Sequence, residues 1–205
     1  MRIKEEYREE TVIKKSRFIA TVKPVDTEEE ALEFIAELKK KYWNATHNCF
    51  AFVIGERQEI QRCSDDGEPS GTAGRPMLEV LTGSGIRNIA VVVTRYFGGT
   101  LLGTGGLVRA YTQAVKEGLA HCETGILRKG CELEVTIDYN DVGKLQYYFG
   151  QQGIVPVDSI YAENVKFILL IPVEKEEKVR KNLTETTCGK VKIEKLKETY
   201  FVDKE

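Results

Sequence analysis

The spacing of apolar residues changes along the chain, and each change predicts an element. Arg17 to Val25 is an apolar stretch that proline closes, and it predicts a strand. Asp26 or Thr27 then offers a cap, Glu28, Glu29 and Glu30 fill a first helical turn, and Ala31, Leu32, Phe34, Ile35 and Leu38 recur at helical spacing. Tyr42 and Trp43 follow and are expected to pack at that helix's end. His47 to Ile54 predicts a second strand. Pro76 to Leu81 predicts a short helix with proline in its first turn. Asn88 to Thr94 is an unbroken β-branched run, as in a central strand buried on both faces. Residues 105–119 predict a helix with Leu107, Ala110, Tyr111, Ala114, Val115 and Leu119 on one side. Gly125 to Gly130 reads as a boundary. Beyond it the expected elements are a strand over 132–138, a helix over 141–151, strands over 154–161 and 165–171, a helix over 173–186 and a strand over 191–201. That β-α-β-β-α-β order is the ferredoxin-like arrangement. The chain is therefore expected to be α+β, with domains at 1–128 and 129–205.

Ten of the 18 glycines fall between Gly67 and Gly106. Each glycine loses more backbone entropy on folding than any other residue, so such density implies backbone held close to something. The first cluster is a loop containing Asp65, Asp66, Gly67, Glu68, Gly71, Thr72, Gly74 and Arg75. The second follows the apolar run and contains Arg95, Gly98, Gly99, Thr100, Gly103, Thr104, Gly105, Gly106 and Arg109. The second is neither a P-loop, since no lysine follows Gly103, nor a dinucleotide fingerprint, since the glycine spacing differs. It lies between a buried strand and a helix, where free backbone N–H groups attract anions. Arg95 and Arg109 flank it, and guanidinium groups suit phosphate. Two readings stand: a seat for the phosphate of a nucleic acid or nucleotide, or a tight turn closed by glycine packing. Tyr96 and Phe97 could stack on bases, or one of them could pack in the core.

The acidic loop also has two readings. Asp65, Asp66 and Glu68 could hold a divalent cation, or they could bind the N–H groups of their own turn. Thr72 and Ser70 would need a base to act as nucleophiles, and His47 is the upstream candidate; its alternative is a structural hydrogen bond. Cys49 and Cys63 read as small buried residues.

Composition narrows the class. The 205 residues are 41% hydrophobic and 30% charged, ordinary for a globular protein. Net charge is −2, which does not favour tight nonspecific nucleic-acid binding by charge alone. Charge is uneven, however: residues 56–68 carry two basic and five acidic groups, and residues 75–129 seven basic and three acidic. Five widely spaced cysteines and two histidines show no metal-ligand or redox spacing, so no metal or cofactor is expected. The N-terminus lacks the apolar segment of a secretory signal and no run is long enough to span a bilayer, so a cytoplasmic location without membrane partners is expected.

These motifs resemble those of the IMPACT family, whose bacterial members include the YigZ-type proteins. Asp65-Asp66-Gly67-Glu68-Pro69 with Gly71-Thr72-Ala73-Gly74 and Pro76 is similar to its first signature. Thr94 to Gly99 with Leu102-Gly103, Gly105-Gly106-Leu107 and Arg109-Ala110-Tyr111 is similar to its second, and His47-Asn48-Cys49 lies upstream. The resemblance implies an N-terminal fold like that of a small-subunit ribosomal protein, domain IV of elongation factor G and GHMP kinases. It implies a C-terminal domain like domain V of elongation factor G. Eukaryotic relatives act in translational control and carry an extra N-terminal partner-binding domain, so their particular role is not expected to transfer. The expected function is binding of RNA or the ribosome in translation regulation, with a possible protein partner and no catalytic residue. The alternative is an enzyme acting on a phosphorylated small molecule with a divalent cation.

Overall fold

In the computed structural model, which describes residues 1–203, the chain divides into units of residues 1–126 and 127–203. The first unit begins with β1 (Arg2–Ile3), β2 (Tyr7–Ile13) and β3 (Ser16–Pro24). Helix α1 (Glu28–Lys41) follows, with the Thr27 hydroxyl accepting the Glu30 N–H at 3.2 Å and three glutamates in its first turn. Next come β4 (His47–Ile54), β5 (Ile60–Ser64), α2 (Gly74–Gly83), β6 (Ile89–Tyr96) and α3 (Thr104–Ala120).

The sheet of this unit runs β2-β3-β6-β4-β5, with every neighbouring pair antiparallel. The apolar run of β6 lies at its centre because both faces are covered. Ala90 and Val92 meet α1 through Phe34, Ile35 and Leu38. Ile89, Val91 and Val93 meet α2 and α3 through Met77, Leu81, Ala110 and Tyr111. Burial of each large side chain contributes about 1.5–3 kcal/mol relative to exposure. A sheet with helices on both faces thus carries an unbroken apolar strand although it is wholly antiparallel.

β7 (Thr124–Ile137) runs through the stretch expected to be a boundary loop. Gly125 pairs with Arg2, and Gly130 pairs with Pro172, so these glycines are strand residues. The second unit continues with α4 (Val142–Gln152), β8 (Asp158–Tyr161), β9 (Val165–Pro172), α5 (Glu176–Thr186) and β10 (Lys192–Asp203). Its strand order, β10-β7-β9-β8, and its β-α-β-β-α-β succession make it ferredoxin-like. Cys131, Leu133, Val135 and Ile137 alternate toward a core with Phe167, Leu145, Phe149, Val179 and Leu183.

Three local expectations change. Trp43 is 82% exposed, while Tyr42 alone packs at the end of α1. Strands β2 and β5 were not expected, because they are sheet edges made largely of charged and polar residues. Helix α2 starts at Gly74, two residues before the expected Pro76.

Candidate functional site

The second glycine cluster links the end of β6 to the start of α3. Gly98 lies against the β2–β3 turn, and a Cβ there would stand 2.0 Å from the Lys15 carbonyl, so only glycine fits. Gly103 caps α3 with φ of 72°, a left-handed conformation that favours glycine, and no side chain caps the helix. The first hydrogen bond of α3 is from Leu107 N–H to the Gly103 carbonyl. The N–H groups of Thr104, Gly105 and Gly106 therefore precede any helical acceptor, and the first turn carries no acidic residue. Gly99, Thr100, Gly103, Thr104 and Gly105 are exposed.

The two flanking arginines have different fates. Arg109 is exposed, forms no ion pair among the described residues, and folds back toward the first turn, its Nη1 3.9 Å from where a Gly105 Cβ would stand. Arg95 is not a surface clasp. Its side chain is 6% exposed, its Nη1 donates to Glu68 Oε1 at 2.6 Å, and its guanidinium lies between the rings of Phe18 and Phe97. Two lysines join the rim in place of Arg95. Lys14 and Lys15 form the two-residue β2–β3 turn, both with positive φ (46° and 68°), both exposed and both without an ion pair among the described residues. Such a turn favours Asn-Gly, and holding two lysines in it costs backbone strain, which tends to persist where it serves a function.

The acidic loop spends its carboxylates internally. Asp65 accepts the N–H groups of Gly71, Ala73 and Gly74 at 2.8–2.9 Å and so caps α2. Asp66 accepts from Lys39 Nζ at 2.5 Å and from the Asn48 N–H at 2.7 Å. Burial would raise both carboxyls, but the hydrogen bonds outweigh it and hold both below the usual carboxylate range. Glu68 turns inward to Arg95 and Tyr111. The three carboxylates therefore point to three places, and among the described residues no group of acidic, histidine and cysteine side chains is arranged for a metal. Thr72 donates to the Pro69 carbonyl at 2.6 Å, Arg75 pairs with Glu79 on the exposed face of α2, and Gly67 occupies the turn beside His47. Cys63 is exposed, not buried.

Spacing along the chain gave no sign of a cavity of about 400 Å³ beside the glycine cluster, lined by His47, Glu68, Arg95, Phe97, Leu101 and Thr104 among others. At its polar end Glu68 is 2% exposed, and its Oε1 takes hydrogen bonds from Arg95 and from the Tyr111 hydroxyl at 2.8 Å. Its Oε2 lies 3.8 Å from His47 Nε2, beyond hydrogen-bonding distance. His47 Nδ1 is 2.9 Å from the Asp66 carbonyl, which only accepts, so Nδ1 carries the proton and Nε2 is left as an acceptor in the neutral ring. Phe97 is 46% exposed, while Tyr96 packs toward α1 and donates to Asn44.

An antiparallel sheet covered on both faces, joined in sequence to a ferredoxin-like unit, and carrying an uncapped glycine-rich helix start, defines a class of two-domain α+β proteins. The Impact N-terminal domain matches residues 14–119, and a domain of unknown function, DUF1949, matches residues 135–190. The chain belongs to the IMPACT family. It is 44% identical over 201 residues to the IMPACT family member YvyE of Bacillus subtilis, covering 97% of this chain and 92% of that one. It is 36% identical over 183 residues to the family member YigZ of Escherichia coli, covering 88% and 90%. A crystal structure of a hypothetical protein superposes with a TM-score of 0.58 at 32% identity, covering 96% of both chains. No helix of the described residues is long and apolar enough to cross a membrane.

Proposed function

We propose that this protein binds RNA of the translation apparatus, seating a backbone phosphate at the start of α3. The observation that carries this reading is the uncapped amide cluster at Thr104, Gly105 and Gly106, with Arg109 folded beside it. The helix dipole and the free N–H groups both favour an anion there. Lys14 and Lys15, whose turn touches Gly98, extend the cationic surface along a strand of phosphates. Arg95 contributes from beneath, by holding Phe97 and Glu68 in place. The setting in translation rests on the resemblance of the two domains to parts of elongation factor G and of a small-subunit ribosomal protein. Filter binding of ribosomal RNA and co-sedimentation with ribosomes test it. Arg109→Ala with Lys14→Ala and Lys15→Ala is expected to abolish both, and high salt to release the wild-type chain. Unchanged binding by the triple variant would remove the seat.

A further inference from the structure

We infer that the cavity beside the phosphate seat admits an unpaired guanine base. The inference rests on the RNA reading above and names what that site would read. Glu68 is almost wholly buried, yet only one of its oxygens is engaged. Arg95 and Tyr111 hold the carboxylate in place and leave Oε2 directed at the space shared with His47 Nε2. With the His47 ring neutral, the floor presents two hydrogen-bond acceptors 3.8 Å apart. Both atoms face the cavity, where a ligand bringing two neighbouring donors would satisfy them together.

Among the bases only guanine has two adjacent donors on its pairing edge, N1–H and the N2 amino group. Adenine and cytosine each set one amino group beside a ring acceptor, and uracil flanks its single N–H with two carbonyls. Against the Glu68 and His47 acceptors, each of those would bring lone pairs together. The walls suit a flat apolar body: Pro69, Leu101, Leu102 and Leu107 line the cavity, and Phe97 leaves much of its ring free to stack while Arg95 lies on it. Gly103 and Thr104 also line the cavity, so a base inside would place its own phosphate near the amides of α3.

Because Glu68 also supports the fold, the ligand is varied in preference to the residue. Guanosine monophosphate is titrated into the full chain and read on the ring signals of His47, with His121 as the internal control. Inosine monophosphate lacks only the N2 amino group, and it is expected to bind about tenfold more weakly. Phe97→Ala, at a half-exposed position, is expected to weaken guanosine monophosphate by about tenfold while leaving the melting temperature near wild type. A single-stranded RNA oligomer with one guanine is expected to bind more tightly than the mononucleotide, and to lose that gain when guanine is replaced by inosine. Equal shifts from guanosine, inosine and adenosine monophosphates, or none from any, would overturn the inference. Salt-sensitive RNA binding that ignores the base would overturn it and leave the phosphate seat standing. A guanine-selective cavity in a chain that binds no RNA would support the inference and end the proposed function.

Discussion

Glu68 holds more of the site together than any other residue. It pairs with Arg95 inside a buried network that also reaches Tyr111 and, through the tyrosine hydroxyl, Cys49. Removing one partner of a buried ion pair strands the other, which costs about 3–5 kcal/mol. Glu68→Ala is expected to lower stability by that amount in urea unfolding, whereas Glu68→Leu with Arg95→Met should lose much less, since no charge is left alone. Cys49 supplies a second expectation. Burial pushes its thiol up to about 12; the Tyr111 hydroxyl acts against this, and the carboxylates of Glu68, Asp66 and Asp65 add to it. Iodoacetamide near pH 8 should therefore label exposed Cys63 and Cys188 in the folded chain and spare Cys49, as read by mass spectrometry. The Arg95–Glu68 pairing was not legible in the sequence. The partners are 27 positions apart, and nothing in local spacing distinguishes a guanidinium that rims a loop from one that turns under it.

At the scale of elements, α2 depends on an acid that precedes it by nine residues. Asp65 binds three N–H groups across the loop and the helix start, in place of a residue at the cap itself. Its carboxyl is held below the ordinary value, so its folded form is the stronger acid. Such a group contributes stability that is present above the unfolded pKa of about 3.9 and disappears as pH falls through the lower folded value. Wild-type stability should therefore fall below about pH 4. Asp65→Asn should reduce that acid dependence while costing about 1–2 kcal/mol at neutral pH, measured by urea unfolding at several pH values. The strands and helices that bury a face, β4, β6, α1 and α3, were legible because burial imposes apolar periodicity. Edge strands β2 and β5 were not, since one side of each meets solvent and their residues need not be apolar. Gly125 and Gly130 looked like punctuation for a related reason: composition marks glycine, whereas strand pairing decides its role.

Across the whole molecule the charge balance decides how RNA would be held. A net charge of −2 supplies no general attraction for a polyanion, so any affinity must come from cations placed together and left unpaired. Most of the chain's basic groups are spent on carboxylates, among them Arg2, Arg17, Arg87, Arg128 and Lys195. Lys14, Lys15 and Arg109 are not, and all three lie along the glycine cluster. Three phosphate contacts on a single strand release few counterions, giving a slope of about −2 for log K against log salt concentration. A broad basic surface would give a much steeper one. Equilibrium binding to a single-stranded RNA between 50 and 300 mM salt, roughly the range over which such slopes are read, should show this shallow dependence. Arg109→Ala should flatten it by about 0.7, and Lys14→Ala with Lys15→Ala by about twice that. A steep slope that the three substitutions leave unchanged would place the contacts elsewhere on the chain. A shallow slope that they erase would tie the family's glycine signature to the surface where the first amides of α3 meet Lys14, Lys15 and Arg109.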